Sequence, residues 1–151
     1  MHALERDHDR VIDVLECPFN ILNKSNLEVV KLAKERNIAV MTSQPLASGI
    51  LTGKYREGAR FAEGDNRRGF WSEERFEAVR PDMEIVEACT AETGLSMGHL
   101  ALAYNMTYPG ISCVIPGAKN AAQALDNAAA TGLRLSSEIM ERLSSTKGFV
   151  F

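Results

Sequence analysis

Two short β-branched runs with a helix signal between them constrain this chain more than any other feature. Val11-Ile-Asp-Val-Leu15, ended by Pro18, and Ile38-Ala-Val-Met41, ended by Pro45, read as buried strands. Between them, Ser25-Asn-Leu-Glu28 has the form of a capping box, in which the serine accepts from an early helix N–H and the glutamate reaches back. It opens a helix with Leu27, Val30 and Ala33 along one side, ending near Arg36-Asn37. Strand, helix and strand within roughly thirty residues make a βαβ unit, whose strands run parallel.

Beyond this unit, from Ala47 to Arg80, the periodicity dissolves into glycines (Gly49, Gly53, Gly58, Gly64, Gly69) and charges, with Phe61, Phe70, Trp71 and Phe76 spread among them. A connection of that length without periodicity is more often functional than idle. Helices are predicted over about Met83–Glu92 and Ser96–Met106, separated by Gly94, with Met97, Leu100, Ala101 and Tyr104 on one face of the second. Ile111-Ser-Cys-Val-Ile115 is a third buried strand, broken by Pro116-Gly117. An alanine-rich helix from about Asn120 to Ala130 follows, then a helix capped by Ser136 through Leu143 and a tail over Lys147–Phe151. The chain thus reads as one α/β domain whose strands, apolar on both faces, need helices on both sides of an open sheet or around a barrel.

Composition removes other classes. A chain of 151 residues, 45% hydrophobic and without a long apolar run, is a soluble domain with no membrane partner expected. Its net charge of -3, with both signs interspersed, offers no basic face for a phosphate backbone, so nucleic acid is not an expected partner. The first ten residues carry His2, Glu5, Arg6, Asp7, His8, Asp9 and Arg10, which suits neither a secretory signal nor a transit peptide, and a cytoplasmic location is expected. Cys17, Cys89 and Cys113 are far apart and lack metal-ligand spacing, so buried free thiols are expected. His2, His8 and His99 suit solvated or packing roles.

Chemistry concentrates at two turns. In Ile115-Pro-Gly-Ala-Lys-Asn120 a glycine after a strand lets an anion approach the backbone, the following helix N-terminus offers N–H groups, and Lys119 adds a positive charge. After the second strand, Ser43-Gln-Pro-Leu-Ala-Ser-Gly-Ile-Leu-Thr-Gly-Lys54 places a small-residue loop at the strand's C-terminal end, the edge where parallel α/β folds bind ligands. Two such turns side by side could hold a pyrophosphate. A plain loop would use the same residues, Gln123 and Asn127 fit a solvated helix face, and Lys54 and Lys119 fit ordinary surface charges.

Three stretches in register carry a resemblance. Pro45-Leu-Ala-Ser-Gly-Ile-Leu-Thr-Gly-Lys-Tyr55, Val114-Ile-Pro-Gly-Ala-Lys-Asn120 with Gln123 and Asp126-Asn127, and Cys17-Pro-Phe-Asn-Ile-Leu22 together resemble the aldo/keto reductase family in its bacterial branch, over the chain to about Leu143. The resemblance implies a partial (β/α)8 TIM barrel whose three strands correspond to strands six, seven and eight. It also implies NADP(H) as cofactor and a small carbonyl compound as substrate. Ser43, Gln44, Pro45, Leu46, Ala47 and Ser48 would line the cofactor, with Lys54 closing over the pyrophosphate and Arg67 reaching in from the long loop. Gly117 and Lys119 would meet the 2′-phosphate, and Gln123, Asp126 and Asn127 the adenine side.

Departures cluster at the nicotinamide end. Ser43 stands where the family has a stacking tryptophan or tyrosine, Gln44 where a serine follows, Glu16 where a glutamine is common, and Phe19 where a tyrosine is usual. The family's catalytic tyrosine, lysine, aspartate and histidine belong to the first half of the barrel, with no counterpart in this sequence, so no catalytic residue is assigned. A barrel of this type takes about eight strands and about 250 residues. The chain is therefore expected to be a truncated product that works only when an N-terminal half is supplied, or that forms a homodimer through an exposed sheet face or edge. A non-catalytic nucleotide-binding or interaction module and an inactive remnant are the alternatives.

Overall fold

A computed structural model describes Leu4 and residues 11–55, 58–65 and 67–148; the segment with His2 and His8 and the tail beyond Gly148 lie outside the described residues. The elements are β1 (Val14–Pro18), α1 (Leu27–Glu35), β2 (Ala39–Ser43), a 3-10 turn (Ala47–Thr52), α2 (Arg67–Phe70), α3 (Glu73–Thr93), α4 (Met97–Thr107), β3 (Cys113–Val114), α5 (Ala121–Ala129) and α6 (Ser137–Ser144). The strands form one sheet in the order β1-β2-β3, parallel throughout, with Val14 opposite Ala39, Glu16 opposite Met41, and Met41 opposite Cys113.

The predicted βαβ unit forms, with its boundaries moved. β1 begins three residues later than the apolar run and takes in Pro18, which an edge strand tolerates because it need not donate from both sides. No capping box forms at α1. The Ser25 hydroxyl instead donates to Asn23 Oδ1 at 2.7 Å, and Asn26 becomes the N-cap while its amide donates to the Pro18 carbonyl at 3.0 Å. β3 shortens to two residues, although Ser112 N donates to the Val40 carbonyl (2.8 Å) and Ile115 N to that of Thr42 (2.9 Å), extending the ladder on each side.

Part of the expected loop over residues 47–80 is helical. α3 starts at Glu73, ten residues before the predicted Met83, capped by Ser72 Oγ accepting from Arg75 N and led by Glu73 and Glu74 against the helix dipole. It runs through Pro81, which forfeits one backbone hydrogen bond. Phe76 and Val79 before the proline, and Val86 and Cys89 after it, all enter the core, and this shared burial outweighs the break. Gly94 and the cap Ser136 stand as predicted, and Ser96, expected as the first helical residue, is the N-cap of α4.

Helices cover one face of the sheet. Val40 and Thr42 point into them and are fully buried, as are Val30, Leu51, Leu100 and Leu143, while Phe19 stacks on Tyr104 with ring centroids 6.1 Å apart. Burial pushes the Tyr104 phenol up to about 12, with Ser144 Oγ 3.4 Å from its oxygen. The other face is open, contrary to the expectation of strands buried on both sides. Val14 is 51% exposed and Glu16 and Cys113 lie beside it in the open. Cys113 thus corrects the expectation that all three thiols are buried, which holds for Cys17 and Cys89.

The C-terminal end is tied down by polar groups out of solvent. Lys24 Nζ donates to the Ser144 carbonyl (2.9 Å) and to the Thr146 hydroxyl (2.6 Å), which in turn donates to the Ile21 carbonyl at 2.7 Å. Asp82, buried in α3, accepts from Lys147 N at 3.0 Å and Gly148 N at 2.9 Å. Asp82→Ala leaves two donors without their acceptor and is expected to cost about 2 kcal/mol in urea unfolding, with faster amide exchange at Lys147 and Gly148. Burial brings the Lys24 ammonium down to about 8 from 10.5, the Asp82 carboxylate opposing it. The folded state therefore releases this proton before the unfolded state does. The burial cost is fully present below about pH 8 and is relieved as pH rises toward 10.5. Urea midpoints of wild type should accordingly gain on those of Lys24→Met between about pH 7 and about pH 10.

Candidate functional site

Because the strands are parallel, the turns after β1, β2 and β3 emerge at one edge of the sheet. The first two are fastened together. Asn20, fully buried, donates from Nδ2 to the Gln44 carbonyl (2.8 Å) while its Oδ1 accepts from Leu22 N (2.9 Å).

The turn after β2 holds Gln44, Ala47, Ser48 and Gly49 at positive φ (55°, 47°, 53° and 97°). Three of these four are not glycine, so the turn stores about 1 to 3 kcal/mol at each, a cost that clusters at ligand-binding segments. Successive N–H groups in such a backbone converge and favour anions. Pro45 and Ala47 are buried, Ser43, Leu46 and Ser48 half-buried, and Gln44 exposed, so the turn presents backbone more than side chain. Lys54, at its far end, is exposed.

Above the turn lies a cationic group. The Arg67 guanidinium stands 4.7 Å from the Tyr55 ring centroid and 5.0 Å from that of Phe61, a cation–π arrangement on both. A Cβ on Gly49 would meet Tyr55 Cε2 at 3.1 Å and Arg67 Nη1 at 3.7 Å. Glycine is therefore required here by both φ and space. Asp65 holds the arginine, accepting from its backbone N (3.0 Å) and Nε (2.8 Å) at Oδ1 and from Nη2 at Oδ2.

At the turn after β3, α5 begins with Asn120, whose Oδ1 accepts from Gln123 N at 2.9 Å. Gln123 Oε1 accepts from Lys119 N at 2.8 Å, and Asn127 Nδ2 donates to the Gly117 carbonyl at 3.2 Å. Two of the predicted adenine-side residues thus brace the turn that carries Lys119. Asp126 faces elsewhere, its Oδ1 3.2 Å from His99 Nε2 on α4. His99 has the packing role expected of it.

Asp65 is held well below the usual carboxylate range first by hydrogen bonds from the Arg67 side chain and backbone, then by the charges of Arg67 and Lys119. Arg67 accounts for most of this, and the Lys119 charge is the smallest influence. Sequence reasoning found Arg67 and Lys119 but missed Asp65, Tyr55, Phe61 and Asn20. An acidic residue two positions before Arg67 was the available signal for the first. Among the described residues no three His, Cys, Asp or Glu side chains are grouped to hold a metal ion, and no helix is long and apolar enough to cross a membrane.

The model of one family, the aldo/keto reductase family, matches residues 1–147. The chain belongs to the aldo/keto reductases. It is 32% identical over 127 residues to a probable voltage-gated potassium channel subunit beta of Arabidopsis thaliana, covering 79% of this chain and 38% of that protein. It is 27% identical over 135 residues to an aldo-keto reductase of Schizosaccharomyces pombe whose name specifies NADP(+), covering 87% of this chain and 40% of that one. Among solved structures, the holo form of an aldo-keto reductase from Bacillus halodurans superposes with a TM-score of 0.69 at 20% identity, over 99% of this chain and 47% of its own. The fold is accordingly an α/β arrangement resembling the aldo-keto reductase barrel, and this aldo/keto reductase chain spans less than half the length of these relatives.

Gly49→Ala tests the build of the turn. With φ at 97° and a contact of 3.1 Å to Tyr55, the substitution should lower stability by about 1 to 2 kcal/mol, read from thermal melts. An unchanged midpoint would mean that the turn relaxes freely.

Proposed function

We propose that this chain is the NADP(H)-binding part of an aldo/keto reductase, corresponding to strands six to eight of the barrel. In this reading it reduces small carbonyl compounds only in company with a first half that carries the catalytic groups. One observation carries the proposal: the Arg67 guanidinium stands over the Gly49 turn, at the sheet edge from which the Lys119 turn also emerges. The strained turn at Ala47–Gly49 and the NADP(+) in the name of a relative support it.

In this reading the backbone of Ser43, Gln44, Pro45, Leu46, Ala47 and Ser48 lines the pyrophosphate, with Lys54 and Arg67 above it. Gly117 and Lys119 meet the adenosine 2′-phosphate. Gln123 and Asn127 hold the turn that presents Lys119 and border the adenine, while Asp126 reaches the adenine only by leaving His99. The bound cofactor supplies the hydride. Serine at position 43 and glutamate at position 16 make the nicotinamide end unlike the family's, so the adenosine end bears most of the affinity.

A second reading, a nucleotide-binding interaction module, is favoured by the open sheet face around Val14, Met41 and Cys113 and by the similarity to a probable potassium channel subunit beta. A second copy of the chain could cover the same face, giving a homodimer.

Titration of the purified chain with NADPH, followed by cofactor fluorescence, should show saturable binding. Adding an N-terminal half-barrel and an aldehyde then separates the readings, since only the reductase predicts NADPH consumption. No binding at all would overturn both. Lys119→Ala should weaken NADPH about tenfold or more, as for a charged hydrogen bond, and leave NADH nearly unchanged. Equal weakening of the two would refute the 2′-phosphate assignment.

A further inference from the structure

We propose that Asp65 is a positioning residue: it locks the Arg67 guanidinium over the Gly49 turn so that the Nη1 edge is aimed at a diphosphate held there. The proposal rests on the nucleotide-binding reading above and adds to it a residue that makes no contact with the ligand itself.

The geometry is specific. A carboxylate can take an arginine at either of two edges, and Asp65 takes the Nε–Nη2 edge, 2.8 Å from Nε, while also accepting from the Arg67 backbone N at 3.0 Å. The same carboxylate thus fixes the side chain and the backbone that bears it. The rings of Tyr55 and Phe61 flank the guanidinium. Its Nη1 lies 3.7 Å from the point where a Cβ on Gly49 would stand, with the Tyr55 side chain a further hydrogen-bond neighbour. An unrestrained arginine would have to surrender its rotamer freedom on binding, whereas this one has already done so.

A simple loop staple would show the same contacts, so the test must read the ligand as well as the fold. Asp65→Asn removes the charge but keeps an acceptor for the backbone N–H, and Asp65→Glu keeps the charge but not the short reach. NADPH affinity of the full chain is measured for both, for Arg67→Met and for the double variant Asp65→Asn/Arg67→Met, with the Arg67 Nε–H signal followed by NMR. Asp65→Asn is expected to weaken NADPH about five- to tenfold and to broaden or lose the Nε–H signal, with an unchanged melting midpoint. Asp65→Glu should weaken it less, and the double variant should bind no worse than Arg67→Met alone. The lock is overturned if Asp65→Asn leaves NADPH affinity unchanged or tightens it, which would make the carboxylate a bystander or a competitor for Arg67. It is equally overturned if the two single losses simply add. An unaltered chain that binds no NADPH overturns the nucleotide reading together with the lock, whereas binding indifferent to Asp65 overturns the lock alone.

Discussion

Parallel pairing of β1, β2 and β3 is the constraint on which everything else depends. It sends each strand's C-terminal turn to the same edge, so that residues far apart in sequence, such as Asn20, Gly49 and Lys119, belong to one region of the molecule. An antiparallel sheet would alternate the turns between two edges and separate Arg67 from Lys119. The cost of parallel strands is a long crossover for each pair, and here the crossovers are helices that also supply the core. The α1 crossover buries Val30 and Ala33, and the second, through α3 and α4, buries Val79, Val86, Leu100 and Tyr104.

That economy leaves one face of the sheet unused. Three strands cannot close into a barrel, so the side away from the helices keeps Val14 and Cys113 in water. α5 is likewise loosely held, with no buried residue of its own and Leu125 73% exposed, beside a cleft of about 290 Å³ lined by Leu102, Met106, Val114 and Ala124. Polar contacts compensate in part where apolar packing is thin. Asn127 and Gln123 hold the N-terminal end of α5, and His99 ties its middle to α4. The turn that carries Lys119 thus leads into a helix held more by polar contacts than by apolar packing.

Legibility in the sequence followed the range of the interaction. The strand-helix-strand order, the α4 face and the cap Ser136 were readable because each depends on neighbours within a turn or two. The start of α3 was not, because Pro81 is a strong local breaker and only the distant partners of Phe76 and Val79 override it. Ser25 failed as a cap for a similar reason. Asn23 captured its hydroxyl, a competition between two local motifs that spacing alone does not decide. At the site, glycine and lysine announced themselves by type. Asp65 did not, since an aspartate in a charged loop is indistinguishable from a solvated one until the fold sets an arginine edge against it.

The turns around Arg67 and Lys119 differ in build from the strand residues Glu16 and Ser43. Around Arg67 and Lys119, the closest polar partners are near neighbours in the chain: Asp65 with Arg67, Gln123 with Lys119, and Asn127 with Gly117. Such contacts form within the segments that use them. The other end is shaped at Glu16, Ser43 and Gln44, on strand ends whose open side faces away from the helices, with Gln44 and Glu16 exposed. Glu16 and Gln44 are exposed there and Ser43 is half-buried, so the carboxylate at position 16 keeps its hydration. On the proposed reading, a nicotinamide ring placed against these residues would have to exclude that water unaided, whereas phosphates would meet an arginine already held in position. That difference in preorganisation would place most of the affinity at the adenosine end of the proposed ligand.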